Sequence, residues 1–297
     1  MKKGYRVLSL FDGISCGMVA LKKAGIPVDY YGASEIDKYA IQVSEKNYPD
    51  IIRLGDVTKI DFSKLGNIDL IIGGSPCQDL SAYKYDRGDV KGLEGKKSNL
   101  FYQFERAIKE LKPKYFLLEN VVMQKEWQDI ITEILGVEPI LINSSLVCGA
   151  ERKRLYWTNI PNLNQPENKN ILLEDIVENS VDRKYYYTGK YEHTYNGDGK
   201  KVQCTLHLNG HRQAKEVYNL KGKCNTLLCD GNGGNLVKKI YQNGEVRKLI
   251  PLEYERLQTL PDYYTAGISD SRRYTAIGNG WTVDVIAHIL GGIDAGL

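Results

Sequence analysis

Several things that would fix the class of this 297-residue chain quickly are scarce or missing. No apolar run is long enough to cross a bilayer, and no secretory leader pattern is recognisable, so the expectation is a soluble protein of the cytoplasm with no membrane partner. The six cysteines form no paired small-domain framework, which suits a reducing compartment. Five metal-capable residues, Cys204, His207, His211, Cys224 and Cys229, fall in one segment, but their spacing matches no compact zinc finger, and no metal is expected. Net charge is only +3, too small to announce a nucleic-acid partner by itself. The first glycine turn is not the Gly-x-Gly-x-x-Gly of dinucleotide enzymes. What remains is a chain with 42% apolar residues, enough for one large buried core with a modest satellite.

The apolar runs are short, bounded by glycine and acidic residues, and alternate with helix-like stretches, the pattern of an α/β sheet whose carboxyl edge collects ligands and chemistry. The first strand, 5–10, leads into Phe11-Asp12-Gly13-Ile14-Ser15-Cys16-Gly17, a tight turn and helix start that points backbone amides at an anionic group, phosphate or carboxylate. A second strand, 29–34, ends in Glu35, about twenty residues past the turn, where a carboxylate accepts ribose hydroxyls. A third, 51–54, ends at Gly55-Asp56-Val57, so that Asp56 can accept from an adenine amino group. Helix capping is the alternative role for either acid.

The apolar run 68–72 is followed by Gly73-Gly74-Ser75-Pro76-Cys77-Gln78, and the run 115–118 by Glu119-Asn120-Val121. A cysteine is ordinarily a small buried hydrophobe. Placed at a strand end in the same chain as a strand-end carboxylic acid, it supplies a nucleophile and a proton donor suited to addition to a pyrimidine ring.

These segments, in this order, resemble the DNA (cytosine-5) methyltransferases, which use S-adenosylmethionine. The resemblance extends over nearly the whole chain: Arg152-Lys153-Arg154 is similar to the family's paired-arginine motif, Gly278-Asn279-Gly280-Trp281 to its last motif, and Glu253, Arg256, Gln258 and Pro261 to the motif that packs the recognition region onto the core. Ser15 and Cys16 stand where many members have two glycines, and Ala150 where a glutamine often precedes the arginines. In these respects, and in Glu119-Asn-Val-Val122, the chain is similar to the catalytic domain of the vertebrate de novo enzymes.

The resemblance implies a doubly wound, Rossmann-like methyltransferase domain with a smaller, strand-rich target-recognition domain. It implies S-adenosylmethionine held by Phe11, Asp12, Gly13, Gly17, Glu35, Ile36, Asp56, Val57, Pro76, Leu100 and Asn279, with S-adenosylhomocysteine as product. Cys77, Glu119, Arg152 and Arg154 are the implied catalytic residues, and Ser75, Gln78, Ser81 and Asn120 meet the substrate base. The implied chemistry adds the Cys77 thiolate to carbon 6 of a cytosine flipped out of duplex DNA, with Glu119 protonating ring nitrogen 3. Arg152, Arg154 and Tyr156 alternate onto one face of an extended segment, and Arg154 is the choice for the base's carbonyl oxygen. The charged, glycine-bearing stretch 81–98 reads as a loop that closes over the base.

Charge is segregated along the chain. From 183 to 248 there are thirteen Lys or Arg against five Asp or Glu, a net of +8, which leaves the remainder at −5. The expected division is a catalytic domain at 1–162, a recognition domain at 163–245 and a return segment at 246–297, ending in a helical stretch at 283–293. Lysines of the recognition domain would neutralise phosphates while loop side chains read base edges. The expected partner is double-stranded DNA, acted on by a monomer, with a cognate restriction endonuclease possible and a bacterium or phage-infected host as the setting. A transfer-RNA enzyme of the same chemistry and a catalytically silent DNA-binding relative remain open at this point, although the latter would be expected to lose Cys77, Glu119 or the arginine pair. A nicotinamide oxidoreductase fits the sheet but not Pro76-Cys77 with Glu119.

Overall fold

The computed structural model describes residues 4–76, 95, 98–187, 192–208, 212–228 and 236–293. The chain divides into two compact units: unit 1 comprises Met1–Ile142, Lys153–Gln165 and Val285–Leu297, and unit 2 comprises Asn143–Arg152 and Pro166–Asp284.

Unit 1 contains β1 (Tyr5–Leu10), α1 (Cys16–Lys23), β2 (Val28–Ser34), α2 (Lys38–Asn47), β3 (Ile52–Arg53), β4 (Leu70–Gly74), α3 (Phe101–Leu111), β5 (Tyr115–Val121), α4 (Lys125–Leu135), most of β6 (Ile140–Asn143), and β7 (Lys153–Thr158). These strands form one sheet in the order β3-β2-β1-β4-β5-β7-β6. β1 pairs in parallel with both β2 and β4, β4 pairs in parallel with β5, and β7 runs antiparallel to β5. Progression is outward in one direction from β1 to β3 and in the other from β4 to β5. The topological switch therefore lies between β1 and β4, the place in such sheets where ligands bind outside the strands' carboxyl ends.

The central strands are covered on both faces, which requires continuous rather than alternating apolar sequence. β5 is buried at all seven positions, and Leu70, Ile71 and Ile72 of β4 are wholly buried. Leu8, Leu10, Phe62, Ile71, Phe101, Phe104 and Trp157 belong to one core cluster, against which Phe11 and Leu100 pack. Gly17 brings α1 close to the sheet: a Cβ there would overlap Ile72 Cδ1 and lie 2.8 Å from Tyr31 Oη. The glycine pair read as following the fourth strand is part of it, so the turn toward Cys77 starts at Ser75. Gly73 is needed inside that strand because a Cβ would stand 3.0 Å from both the Leu10 carbonyl oxygen and the Phe104 ring.

Unit 2 holds a second sheet built from β8 (His193–Tyr195), β9 (Val202–Leu206), β10 (Glu216–Tyr218), β11 (Lys239–Gln242) and β12 (Glu245–Lys248), in the order β12-β11-β10-β9-β8. The four-residue α5 (Arg212–Lys215) precedes β10, while α6 (Pro251–Leu257) and α7 (Asp270–Asn279) follow the sheet, and α8 (Val283–Leu290) leads back into unit 1. Among the described residues Cys204, Leu206, Val217 and Val246 form one apolar cluster of this unit, and Ile240, Leu249, Tyr254, Leu257 and Ile277 are buried in it as well.

The division at 245/246 expected from the sequence differs from these units, because residues 246–284 belong to unit 2 and the return begins at Val285. The reason is local. Asn243 and Gly244 both have positive φ, 52° and 85°, and join β11 to β12 with Gln242 facing Glu245. A positive-φ Asn-Gly pair is the strongest short hairpin signal, and a boundary at 245/246 cuts through the strand that follows it. Arg247 of β12 then binds Glu253 of α6 through two hydrogen bonds of 2.7 and 2.9 Å, with both side chains fully buried. Among the described residues no helix is long and apolar enough to cross a membrane.

Candidate active site

Parallel pairing of β4 with β5 sets Gly74 beside Glu119, and antiparallel pairing of β5 with β7 sets Tyr156 opposite Glu119 and Arg154 opposite Val121. The registers thus bring three sequence-distant motifs to one sheet edge. Glu119 is 8% exposed. Its Oε1 accepts from Nε of Arg154 at 2.9 Å, in a pair whose side chains are 10% and 15% exposed. Charge-assisted pairing in a site largely sealed from water is worth more than the same contact on a surface. It fixes the carboxyl group and the guanidinium relative to each other.

Asn120 is buried and ties β5 to the turn after β4. Its Nδ2 donates to Ser75 Oγ at 3.0 Å, while its Oδ1 accepts from the Val121 amide at 2.8 Å. Ser75 is buried as well. The turn that carries Pro76 toward Cys77 is therefore anchored by the neighbour of Glu119. Cys77, Gln78 and Ser81 lie outside the described residues, as does most of the segment 81–98.

At the carboxyl end of β1, Phe11, Gly13 and Ser15 have φ of 59°, 59° and 58°. Glycine adopts this conformation freely, but a bulky residue such as Phe11 does not, and such strain gathers at functional turns. The turn is held by Asp12, whose side chain is buried: Oδ1 accepts from Tyr31 Oη at 2.7 Å and Oδ2 from Ser15 Oγ at 2.5 Å. Burial pushes the Asp12 carboxyl above its ordinary pKa, with these hydrogen bonds opposing the shift. Asp12, expected among the cofactor residues, thus spends its side chain on holding the loop.

The anionic group that this loop greets is the chain's own Glu35. Oε2 accepts from the Gly13 amide at 2.8 Å, and Oε1 accepts from the Ile36 and Asp37 amides at 2.7 and 2.8 Å. A carboxylate has roughly four lone-pair sites, so one is left for a further donor. Ile36, beside it, is 76% exposed. Asp56 caps the single turn at Val57–Lys59, with Oδ1 accepting from the Thr58 amide at 2.9 Å and from its hydroxyl at 2.8 Å. These bonds hold the Asp56 carboxyl below the usual range and leave Oδ2 free among the described residues. Val57 is buried, and Leu100 ends a short turn at Ser98–Leu100.

A family model described as C-5 cytosine-specific DNA methylase matches residues 5–133 and 146–295. The chain belongs to this family. M.HhaI of Haemophilus parahaemolyticus, a type II methyltransferase, is 28% identical over 326 residues, covering 99% of this chain and 95% of that one. The orphan methyltransferase M.Rho11sI of Bacillus phage rho11s is 36% identical over 181 residues, which is 59% of this chain but only 34% of the phage protein. Among solved structures, the Entamoeba histolytica methyltransferase EhMeth superposes with a TM-score of 0.74 over 98% of each chain, at 15% identity. At that identity the likeness speaks for the fold, a Rossmann-like methyltransferase fold, as expected from the sequence.

Two expected site residues of this family member sit in unit 2. β7 begins at Lys153, so Arg152 precedes the strand instead of alternating along it with Arg154. Its guanidinium donates to the Gly278 and Gly280 carbonyls at 3.2 and 3.1 Å, bracketing Asn279 at the end of α7. Gln258 Nε2 donates to Ile277 and Gly280 carbonyls at 3.0 and 3.1 Å. Arg152 and Gln258 thereby position the turn that carries Asn279. Sequence reading did not reveal the Glu119–Arg154 pair or the anchor from Asn120 to Ser75, because neither follows from spacing. Both depend on strand register.

Of the five residues weighed as a metal set, Cys204 and Cys224 are buried. His207 shares a 2.9 Å hydrogen bond with Thr194 Oγ1, and His211 and Cys229 lie outside the described residues. Among the described residues no group of three or more His, Cys, Asp or Glu side chains is placed to hold a metal ion.

Proposed function

We propose that this protein is a sequence-specific DNA (cytosine-5-)-methyltransferase that uses S-adenosylmethionine, with unit 1 performing the chemistry and unit 2 selecting the target. The observation that carries the reading is the Glu119–Arg154 pair at the edge of β5, adjacent in the sheet to the Gly74-Ser75-Pro76 run that leads into Cys77. The first phage relative is matched over a third of its length. Full-length similarity to type II methyltransferases supports DNA as the substrate.

The donor set at the β1–β3 edge fits an adenosyl group. Glu35 has an acceptor position for a ribose hydroxyl, Ile36 offers an exposed apolar face to a base, and Asp56 Oδ2 is available to an amino group. When bound, S-adenosylmethionine supplies an electrophilic methyl on sulfur and leaves as S-adenosylhomocysteine.

The roles of the chain's own residues follow from their chemistry. The Cys77 thiolate forms a bond to cytosine carbon 6. Glu119 delivers a proton to ring nitrogen 3, so that the electron pair freed at carbon 5 is not accumulating on a bare anion. Arg154 donates to the base's carbonyl oxygen and keeps the carboxyl of Glu119 aimed. Once carbon 5 carries the methyl group, its proton leaves to water, the bond from carbon 6 to Cys77 sulfur breaks, and Glu119 takes back the proton from ring nitrogen 3, so that the aromatic ring returns with the thiolate free. The target atom is buried in a duplex, so the cytosine must leave the stack at a cost of about a few kcal/mol.

The test is transfer of labelled methyl from S-adenosylmethionine to unmethylated genomic DNA, read by bisulfite sequencing, with Cys77→Ser and transfer RNA in parallel. Methylated cytosines in one short motif, absent with Cys77→Ser, are the expected result. Label on transfer RNA alone would replace this reading by the RNA enzyme, and no label on either substrate would leave a silent binder.

A further inference from the structure

The geometry points to a backbone-phosphate clamp in unit 2: a basic pocket, between the turn joining β8 to β9 and the short helix α5, that grips a phosphodiester of the DNA through Lys200 and Lys215. This inference rests on the DNA-methyltransferase reading and assigns it a second contact, apart from the chemistry at β4 and β5.

The pocket has a volume of about 490 Å³ and is open, with Lys200, Lys201, Arg212 and Lys215 in its wall against a single acid, Glu216. Two of these cations are already matched. Lys201 Nζ pairs with Glu151 and donates to Asn225 Oδ1 at 2.6 Å, and Arg212 Nε lies 3.2 Å from Glu216 Oε1. Lys200 and Lys215 have no acidic partner among the described residues. Lys200 is exposed and Lys215 half-buried. Two ammonium groups without an acidic partner among the described residues, lining one concavity, attract an anion, and the phosphodiester backbone is the anion that a DNA methyltransferase meets in bulk.

The one acid in the wall does not repel such a ligand, because its charge is consumed from behind. Glu216 is buried, and its Oε2 accepts from Tyr218 Oη at 2.6 Å and from Asn225 Nδ2 at 3.1 Å while Oε1 faces Arg212. The turn that carries Lys200 is also fixed before any ligand arrives. Asn196 Nδ2 donates to the Val202 carbonyl at 3.1 Å and to Thr205 Oγ1 at 3.0 Å, and the Lys200 amide donates to the Gly197 carbonyl at 3.2 Å. A turn already fixed loses less entropy on binding than a free loop. Phosphate contacts of this kind position a duplex without reading its sequence.

The experiment compares wild type with the Lys200→Gln/Lys215→Gln double variant on two duplexes, one drawn from DNA that the wild type methylates and one unrelated, over a series of salt concentrations. Each phosphate contact contributes about 0.9 to the slope of log affinity against log salt. The clamp predicts that the slope falls by about 1.8 on both duplexes, while the motif methylated in genomic DNA stays the same. Thermal unfolding matched to wild type, and the single variants each lowering the slope by about 0.9, separate this from a folding defect. An unchanged slope overturns the proposal, as does a loss confined to one duplex, which would make these lysines base readers. Orthophosphate binding that disappears in the variant while the duplex slope is kept would assign the pocket to a free anion and overturn it too. A wild type that methylates DNA while the variant keeps its slope leaves the enzymatic reading standing. A wild type that neither binds nor methylates DNA removes that reading itself.

Discussion

The two units spend buried charge in opposite ways. Among the described residues of unit 1, the buried charged side chains are Asp12 and Glu119, one just past the carboxyl end of β1 and the other near that of β5. Unit 2 buries Arg152, Glu216, Lys238, Lys239, Arg247, Glu253, Glu255 and Asp284. Unit 1 closes around a large apolar cluster that includes Phe62, Phe101, Phe104 and Trp157, and unit 2 buries apolar side chains of its own, among them Tyr218, Ile240, Leu249, Tyr254, Leu257 and Ile277, alongside these charges. A buried charge is costly unless it is paired and hydrogen-bonded. In unit 1 the two lie at strand ends where the expected site residues gather. In unit 2 buried charge is built into the packing, as in the pair of Arg247 with Glu253.

This contrast is tested most strongly by removing one charge from each kind of place. Glu119→Gln keeps the shape of the side chain but weakens the acid, and it is expected to lower kcat by roughly 10²–10⁴, measured at saturating DNA and cofactor. Arg247→Met strands Glu253 in the interior and is expected to cost about 3–5 kcal/mol, read from denaturant unfolding with amide exchange accelerating in unit 2. Adding Glu253→Leu to it should recover most of that loss, since a buried pair is replaceable by apolar side chains.

Lys238 sharpens the comparison through pH. It is fully buried, and burial drops its pKa to about 8, while Nζ donates to Gln213 Oε1 at 2.8 Å. The folded pKa lies below the ordinary lysine value of 10.5, so between about 8 and 10.5 the unfolded chain binds the extra proton. Stability from this group therefore rises with pH across that window, by on the order of 3 kcal/mol at most, and the penalty is fully present below it. Lys238→Met should flatten the rise, as followed by urea midpoints from pH 7 to 10.5. The smallest effect belongs to unit 1. Gly17→Ala forces α1 away from Ile72 and Tyr31 and should cost about 1–3 kcal/mol as overpacking, measured as a shift in the thermal midpoint.

The same contrast explains what the sequence made legible. Unit 1 could be read because its strands are uninterrupted apolar runs ended by glycine or acid, and period and punctuation alone locate β1 and β2 and hence the turns at Phe11 and Glu35, while β4 runs two residues further than its apolar run, through Gly74. Register was not legible, and with it went the pairing of Glu119 with Arg154, since an antiparallel partner over thirty residues away carries no local signal. Unit 2 was less legible because its strands are short and pairs buried within it, such as Arg247 with Glu253 and Arg273 with Glu255, look like surface charge in a sequence. Asn243-Gly244 is a local signal even there: it marks the β11–β12 hairpin and places any boundary beyond residue 248.

The most direct test of the account is to trap the reaction on a duplex carrying 5-fluorocytosine in the methylated motif and to map the crosslinked peptide by mass spectrometry. Carbon 5 then bears fluorine in place of the proton that must leave, so the adduct persists. The account predicts one denaturant-stable adduct per active site, joined through Cys77 and bearing the transferred methyl group, and none with Cys77→Ser. An adduct through another cysteine, or methyl transfer that continues in Cys77→Ser, would contradict it.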